Sequence, residues 1–311
     1  MTCEMSSVRK RMTMFDVSPR PLNPSPAGRP VAWPAKAQSA LMIGFDFDAE
    51  CVWFGNNYAN VQSSVTMSYG GYGPRVGVPK VLEILKDVGL KATFFVPGWT
   101  VRAHAESCER ILKDGHEIAH HGYLHKLPDP TRLDEAFEEI DLGLVALKEV
   151  LGVAPLGYRA PNGECFPELL QYLHSKGIRY SSSYCDDVHP YRHQLPGGTA
   201  GPVELPINFA FDDWYFGMSN RMGQRSLFGR DAVLPLWIDE FDVTHSWGGV
   251  TSMVLHPQVS GRPMRTLILR DFLTHVLNKN DVWIATGAEI SAHVLATANS
   301  VVSDHVRSDH V

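Results

Sequence analysis

The feature that most constrains this fold is a regular alternation of short apolar runs with stretches of helical period. The alternation begins near residue 79, becomes less regular after residue 185 and continues to about residue 296, with glycine at the end of several helical stretches. Strands that alternate with helices run parallel, because each helix returns the chain to the same edge of the sheet. The pattern therefore predicts an α/β fold: a single-domain, incomplete (distorted) (β/α) barrel of about seven or eight strands, with its functional site at the carboxyl ends of the strands.

The segments on either side of the barrel differ from it in composition. Residues 1–38 are rich in proline and lack periodicity, so they predict an extended N-terminal arm. Residues 39–297 form the predicted catalytic barrel, and residues 298–311 a flexible tail. Within the barrel, residues 49–78 are rich in Gly, Asn, Ser and Tyr and predict a long functional loop.

Composition and charge exclude several classes of protein. The 311 residues are 44% hydrophobic and 20% charged, as in an ordinary soluble protein, and the formal charge of -6 argues against a nucleic-acid partner. No apolar stretch is long enough to cross a membrane, and no apolar segment follows the basic residues 9–11 as it would in a secretory signal. The five scattered cysteines include no CxxC pair, which favours reduced thiols and a cytoplasmic protein.

Two carboxylates lie at the end of an apolar run, Leu41 to Phe47, that has the character of a buried strand. Asp46 and Asp48 are two residues apart, which is the period of a strand, so both side chains point to the same face. Neighbouring carboxylates must repel one another, share a proton or hold a cation. The alternative is that the strand simply runs into a polar turn.

Two histidines follow another predicted strand. His121 and His125 are four residues apart, and two imidazoles with a carboxylate are a common ligand set for Zn²⁺ or a similar ion. Because a barrel brings strand ends together, these histidines are expected near Asp48. The alternative is that they serve as core or capping residues. For His120 we predict a place behind the ligands or in solvent, and for His116 a structural role.

Three more polar side chains follow predicted strands: Arg159, Asp213 and His256. Taken singly, Arg159 is typical of a surface ion pair, Asp213 of a turn, and His256 of a structural histidine. Collected at one end of a barrel, the strand-end residues would assemble a metal site with a spare carboxylate, an arginine and a histidine.

The order of these motifs resembles that of the polysaccharide deacetylase family, which carries the nodulation-deacetylase homology domain. The resemblance covers residues from about 32 to 296 and is closest to a cytoplasmic branch that includes the Helicobacter-type peptidoglycan deacetylase and bacterial cyclic imide hydrolases. The residues that carry it are Asp46–Asp48, His121–His125, Arg159–Pro161, Trp237–Asp242 and Leu255–Pro263.

The resemblance implies roles for these residues. Asp48, His121 and His125 would bind one divalent metal ion, with Zn²⁺ as the expected metal, and Asp46 would be the general base. Arg159 would orient Asp46, and His256 would protonate the leaving nitrogen. The candidate substrate-binding residues, whose alternative role is ordinary packing or a turn, are Trp53, Tyr72, Trp99, Asp213 and Trp214.

Two departures from the usual family pattern concern the substrate. Leu124 stands where secreted deacetylases often have Ser or Thr, and Asn162 replaces the usual aromatic residue after Pro161. Together with the long segment 49–78, these changes favour a small, enclosed pocket over an extended groove for a sugar chain.

The expected function is hydrolysis of a carbon–nitrogen bond other than a peptide bond, by a metal-activated water that attacks an amide carbonyl. The alternative on the same scaffold is an allantoinase-like hydrolase of cyclic imides or ureides. A non-catalytic binding protein ranks last, because every motif residue is present. The expected partner is a small soluble amide, imide or N-acetyl sugar, with no nucleic acid and no membrane. The arm and the resemblance suggest a homo-oligomer, such as a tetramer.

Overall fold

The computed structural model describes residues 28–219 and 223–308, where short strands alternate with helices. The strands of these residues form a four-stranded and a seven-stranded sheet. They are β1 (Ser39–Met42), β2 (Gly44–Asp46), β3 (Thr93–Val96), β4 (Glu117–His120), β5 (Gly157–Tyr158), β6 (Tyr180–Ser181), β7 (Tyr191–Gln194), β8 (Ala200–Glu204), β9 (Ile207–Asp212), β10 (Val250–Val254) and β11 (Val282–Ile284).

Two continuous stretches of chain join the sheets into one distorted barrel. Only Ile43 separates β1 from β2, and only Leu205 and Pro206 separate β8 from β9. Parallel pairing runs from β2 through β3, β4, β5 and β6 to β8, and from β9 through β10 to β1. A parallel bridge between Phe45 and Leu255 links β2 to the end of β10. The predicted α/β barrel is confirmed, with β11 parallel to β1 and β7 antiparallel to β8.

The segment from β1 through β2 presents one set of side chains to the outer apolar core and the other to the barrel interior. Its alternate side chains face opposite sides. The outward set packs in the apolar cluster shared with the helices and consists of Leu41, Ile43, Phe45 and Phe47. Ala40 and Met42 belong to a second cluster, formed mainly by strand residues inside the barrel. Asp46 and Asp48 continue this inner register, so both carboxylates lie at the carboxyl end of the barrel.

Helices surround the barrel and cover the outward faces of the strands. They are α1 (Cys51–Phe54), α2 (Ser64–Tyr72), α3 (Val78–Val88), α4 (Gly98–Ala103), α5 (Ala105–Lys113), α6 (Leu133–Leu151), α7 (Pro167–Ser175), α8 (Asp213–Gly217), α9 (Arg230–Ser246), α10 (Pro257–Ser260), α11 (Pro263–Leu277) and α12 (Gly287–Ser308). Left-handed glycines end α3 and α6, as predicted: Gly89 and Gly152.

The prediction of a long loop at residues 49–78 is wrong, because this segment is mostly helical. It contains α1, a 3₁₀ turn (Tyr58–Gln62), α2, and a π-helical stretch (Gly73–Gly77) that leads into α3. The glycines that suggested a loop are contact points instead. A Cβ on Gly70 would collide with the backbone of Glu50, and one on Gly77 with the backbone of Pro257. Glycine here permits close packing of helices.

The predicted arm and tail lie only partly within the described residues. Residues 28–38 pack against the barrel: the backbone N–H of Gly28 donates to Oδ2 of Asp187 at 2.7 Å, and the indole N–H of Trp33 donates to the carbonyl of Gly248 at 3.0 Å. Residues 1–27 and 309–311 lie outside the described residues. The helix α12 continues to residue 308, through most of the stretch predicted as a tail, and the boundary at 298 stays a prediction.

Two leucines of α11 provide a matched test of the core. Leu269 is 0% exposed and Leu267 is 54% exposed. We expect Leu269→Ala to lower the free energy of unfolding by about 2–5 kcal/mol, since it removes buried methyl groups and leaves a cavity. Leu267→Ala should change it by less than about 0.5 kcal/mol. Urea denaturation monitored by circular dichroism measures both, and equal losses would contradict this placement of the core.

Candidate active site

Asp48, His121 and His125 bring three potential ligand atoms together beyond the carboxyl ends of β2 and β4. Oδ1 of Asp48 lies 3.4 Å from Nε2 of His121 and 3.6 Å from Nε2 of His125. All three side chains are buried, and Oδ1 of Asp48 and Nε2 of His121 lack a hydrogen-bond partner among the described residues. Ligand atoms held about 2.1 Å from a tetrahedral metal ion lie about 3.4 Å apart, so the set fits a divalent ion with an open position.

The surroundings favour the metal-binding forms of Asp48 and His125. Burial alone would lower the pKa of His121, but nearby Asp46 and Asp48 raise it, and a bound cation would take the place of the added proton. The Nδ1–H of His121 donates to the backbone carbonyl of Arg159 at 2.7 Å, which leaves Nε2 free to bind a cation. Burial lowers the pKa of His125 to about 4, so the ring is neutral. Burial alone would raise the pKa of Asp48, but the nearby His125 and His121 lower it to about 2.

The turn between the two histidines is fixed from three directions. Oε2 of Glu139, on α6, accepts the backbone N–H groups of residues 123 and 124 at 3.1 and 2.8 Å. His125 has φ of 58°, in the left-handed region that non-glycine residues seldom adopt. Its carbonyl accepts N–H groups from the side chains of Asn56 and Asn162, each at 3.3 Å. These contacts hold a strained backbone in the conformation that turns His125 toward Asp48.

Asp46 lies beside the ligand cluster and is held by Arg159. Nη1 of Arg159 donates to Oδ1 of Asp46 at 2.7 Å. The other guanidinium N–H groups donate to the carbonyl and hydroxyl of Ser182 and to the carbonyl of Met253. Oδ2 of Asp46 lies 3.8 Å from Nε2 of His121. The arginine therefore fixes one carboxylate oxygen and leaves the other beside the ligand cluster.

His256 follows β10 and approaches the same cluster, with Nε2 3.9 Å from Oδ2 of Asp48. Its Nδ1–H donates to Oδ1 of Asp213 at 2.7 Å. Asp213 also accepts the backbone N–H of His256 and the hydroxyl of Ser260. Burial opposes a charge on His256, but the hydrogen bond and charge of Asp213 raise its pKa to about 10. An imidazolium is thus stable at neutral pH and can donate a proton.

Asp212 is a site residue that the sequence reasoning missed. It lines the same cavity, its Oδ1 lies 3.9 Å from Nδ1 of His256, and it accepts the backbone N–H of Trp214 at 2.9 Å. Burial raises its pKa to about 7. The sequence contained one clue. Side chains alternate along a strand, so of the adjacent pair Asp212 and Asp213 one was expected to point toward the barrel interior and the other away from it.

These groups line a cavity of about 500 Å³. One wall is aromatic: the rings of Trp53 and Trp214 have centroids 5.2 Å apart, and Trp214 lies 5.0 Å from the ring of His256. Both tryptophans were predicted as wall residues. The cavity has the size and mixed lining of a small-molecule site.

Comparison with known proteins assigns the chain to a family. A model of the polysaccharide deacetylase family matches residues 64–181. A solved structure described as a polysaccharide deacetylase from Mycobacterium smegmatis is 37% identical to this chain, with a TM-score of 0.83; the match covers 88% of this chain and 95% of that one. This chain belongs to the polysaccharide deacetylase family. The predicted family is confirmed.

Two further similar proteins bear on the reaction and the fold. The peptidoglycan deacetylase of Helicobacter pylori is 28% identical over 278 residues, which are 81% of this chain and 94% of the relative. The structure of an allantoinase is 23% identical with a TM-score of 0.75, covering 90% of this chain and 98% of that one, and shares the fold. The chain is accordingly a hydrolase of the metal-dependent deacetylase type, which acts on carbon–nitrogen bonds other than peptide bonds. No helix within residues 28–219 and 223–308 has the continuous apolar length that crossing a bilayer requires.

Two residues predicted to form the walls of this deacetylase site, Tyr72 and Trp99, do not line the cavity. The hydroxyl of Tyr72 donates to the carbonyl of Gly261 at 3.1 Å, and its ring lies 4.3 Å from the guanidinium of Arg262. Trp99 packs edge-on against Phe54, with ring centroids 4.9 Å apart. Both rings pack between elements: Tyr72 lies in α2 and contacts residues 261 and 262, and Trp99 lies in α4 and packs against Phe54 of α1.

Asp213, also predicted to bind substrate, does not line the cavity either, since its carboxylate is occupied by His256 and Ser260. Of the two histidines predicted to lie outside the ligand set, His116 makes a structural contact, and His120 is fully buried and so does not face solvent. His120 bonds to the carbonyl of Ile140 through Nε2 and accepts the N–H of Gly122 at Nδ1. Nδ1 of His116 accepts the backbone N–H of residue 92.

The contacts of Glu139 predict an effect on metal binding. We expect Glu139→Ala to weaken affinity for the metal roughly 10- to 100-fold, since residues that orient ligands typically have this effect. Glu139→Gln retains an acceptor for the two N–H groups and should lose less. A chelator-competition titration measures the affinity. Glu138→Ala, at an exposed neighbour on the same helix, is the control, and an equal loss in that variant would contradict the assignment.

Proposed function

We propose that this chain is a Zn²⁺-dependent hydrolase of a small soluble amide or imide, with Asp48, His121 and His125 as the metal ligands. The observation that carries the proposal is the convergence of three buried ligand atoms with a carboxylate and an imidazole. Asp46 lies 3.8 Å from one ligand and His256 3.9 Å from another. Two imidazoles and one carboxylate are a ligand set typical of catalytic Zn²⁺.

The surrounding residues supply the proton transfers that amide hydrolysis needs. When bound, a divalent ion at this site lowers the pKa of a coordinated water toward ~7 and polarises the substrate carbonyl. Asp46 accepts a proton from the attacking water, because Arg159 leaves its Oδ2 beside the ligands. His256 donates a proton to the leaving nitrogen from a ring that Asp213 holds in place. The carbonyl carbon–nitrogen bond breaks and a carboxylic acid forms. The leaving nitrogen becomes an amine when the substrate is an amide, and a primary amide or urea group when it is a cyclic imide or ureide.

Two substrate classes suit the cavity. The name of the Helicobacter pylori relative supports an N-acetyl sugar. The flat faces of Trp53 and Trp214 favour a planar ring, so a cyclic imide or ureide is the second candidate. A volume of about 500 Å³ suits a molecule of either kind.

We also propose a cytoplasmic homo-oligomer, with a tetramer as one form. The cysteines within the described residues, Cys51, Cys108, Cys165 and Cys185, are all unpaired, which suits a reducing compartment. Exposed apolar side chains follow one side of α9 and its end, at Leu236, Val243 and Trp247, and such a stripe suits contact with another subunit.

Replacing each aspartate separately tests the proposed division of roles. Asp48→Ala removes a charged ligand, so we expect lower zinc content and activity that excess metal partly restores. Asp46→Asn keeps the shape and cannot accept the proton, so it should retain zinc and lose roughly 10²- to 10⁴-fold in kcat. Substrate KM should change little if chemistry is slower than substrate dissociation.

Metal analysis and kinetics on a substrate panel provide the measurements. The panel contains N-acetylated chitooligomers, succinimide, maleimide, hydantoin and allantoin. Asp231→Asn, at a fully exposed carboxylate, is the control and should match the wild type. Loss of zinc in Asp46→Asn with retention in Asp48→Ala would reverse the assigned roles, and a metal-free wild type with full activity would refute the metal site.

Light scattering at micromolar concentration tests the assembly. We expect a mass at least twice that of one 34.6 kDa chain. Trp247→Glu should shift the protein toward smaller species, because it places a charge in the apolar stripe. A wild-type mass equal to one chain would contradict the proposed oligomer.

A further inference from the structure

The cavity carries a cation that the proposed chemistry does not use. Two arginines line it, Arg159 and Arg225. Arg159 is paired with Asp46 at 2.7 Å. No carboxylate of the described residues lies within ion-pair distance of Arg225, which is exposed to solvent. A guanidinium without a carboxylate partner at the edge of a ligand cavity is suited to bind an anionic group.

The aromatic wall of the cavity positions Arg225. Its guanidinium carbon lies 5.8 Å from the ring centroid of Tyr215, and its backbone N–H donates to the hydroxyl of Ser219 at 3.1 Å. The ring of Tyr215 packs edge-on against Phe209, with centroids 5.7 Å apart, and both rings line the cavity. Arg225 therefore lies beside an aromatic ring of the cavity wall.

One short helix connects this cation with the reacting centre. Asp213, at the start of α8, holds the ring of His256. The next residue, Trp214, lies against that ring at 5.0 Å, and Tyr215 then follows and contacts Arg225. Consecutive residues of α8 therefore contact His256, the proposed proton donor, and Arg225.

The same wall contains a further unused donor. Nε1 of Trp53 is buried and has no hydrogen-bond partner among the described residues, and the ring of Trp53 lies 5.2 Å from that of Trp214.

We infer that the substrate carries a carboxylate remote from its scissile carbon–nitrogen bond, and that Arg225 binds this carboxylate. The inference rests on the proposed function, which places the scissile bond between Asp46 and His256. Arg225 is then a specificity-determining residue, and the substrate class narrows to small acidic amides, imides or ureides.

A carboxylate fits this site better than a phosphate. Asp46, Asp48 and Asp212 already line the cavity, so a doubly charged group would meet more repulsion than a singly charged one. A single guanidinium matches the planar geometry of a carboxylate and can bind both of its oxygens.

Matched pairs of compounds that differ by one carboxylate test the inference. Dihydroorotate is paired with dihydrouracil, and N-acetylmuramate with N-acetylglucosamine. Calorimetric Kd and kinetic kcat/KM are measured for zinc-loaded wild type, Arg225→Gln and Arg225→Lys. For at least one pair, the wild type should favour the carboxylated member by roughly tenfold, the ratio expected for one charge-assisted hydrogen bond. Arg225→Gln should lose this preference through KM, and Arg225→Lys should retain part of it.

The neutral members and a second arginine are the controls. Affinity for the neutral compounds should be unchanged in both variants. Arg102→Gln removes an exposed cation that pairs with Glu149 outside the cavity, and it should keep the carboxylate preference. A wild type without the preference, or equal weakening of both members of a pair in Arg225→Gln, would overturn the inference.

The binding data separate this inference from the proposed function. If none of the compounds or the earlier panel is hydrolysed, the proposed reaction fails. Preferential binding of a carboxylated compound that disappears in Arg225→Gln would still support the role of Arg225, whereas binding that ignores the carboxylate would refute it.

Discussion

The buried guanidinium of Arg159 is the interaction on which the site depends. A charge removed from water is strongly unfavourable unless hydrogen bonds replace the lost solvent. Asp46, Ser182 and Met253 accept its N–H groups, and its carbon atom lies 4.1 Å from the ring centroid of Phe95. These partners belong to or directly follow β2, β6, β10 and β3. The arginine is satisfied only when these strands have come together, so closure of the barrel and assembly of the site are one event.

The sequence predicts the parts of this arrangement that follow from strand geometry. The two-residue spacing of Asp46 and Asp48 places both on the inner face of the first strand, and the structure has them there. The rule that parallel strands present their carboxyl ends together predicts the proximity of His121, His125 and His256 to these carboxylates. Both rules hold because they depend on backbone periodicity and not on the identity of distant neighbours.

The sequence reasoning fails where distant contacts decide the outcome. The glycines between residues 49 and 78 suggested a loop, yet Gly70 and Gly77 permit helices to pack against remote backbone. Tyr72 has the residue type of a pocket wall but donates to the carbonyl of Gly261 instead. The turn of His125 depends on an amide from Asn162, a position that the sequence marked only as a departure. No local pattern encodes such partners.

The candidate active site is divided between the two sheets. Asp46 ends β2 of the seven-stranded sheet, and Asp48 follows it. Asp212 ends β9 of the four-stranded sheet, and His256 follows β10. The side of the cavity with Asp46 and Asp48 and the side with Asp212 and His256 are thus carried by separate sheets, which the chain connects at Ile43 and at Leu205–Pro206. Under the proposed roles, substitutions between β9 and α8 alter the cavity wall that meets the substrate and leave the proposed metal ligands beyond β2 and β4 unchanged.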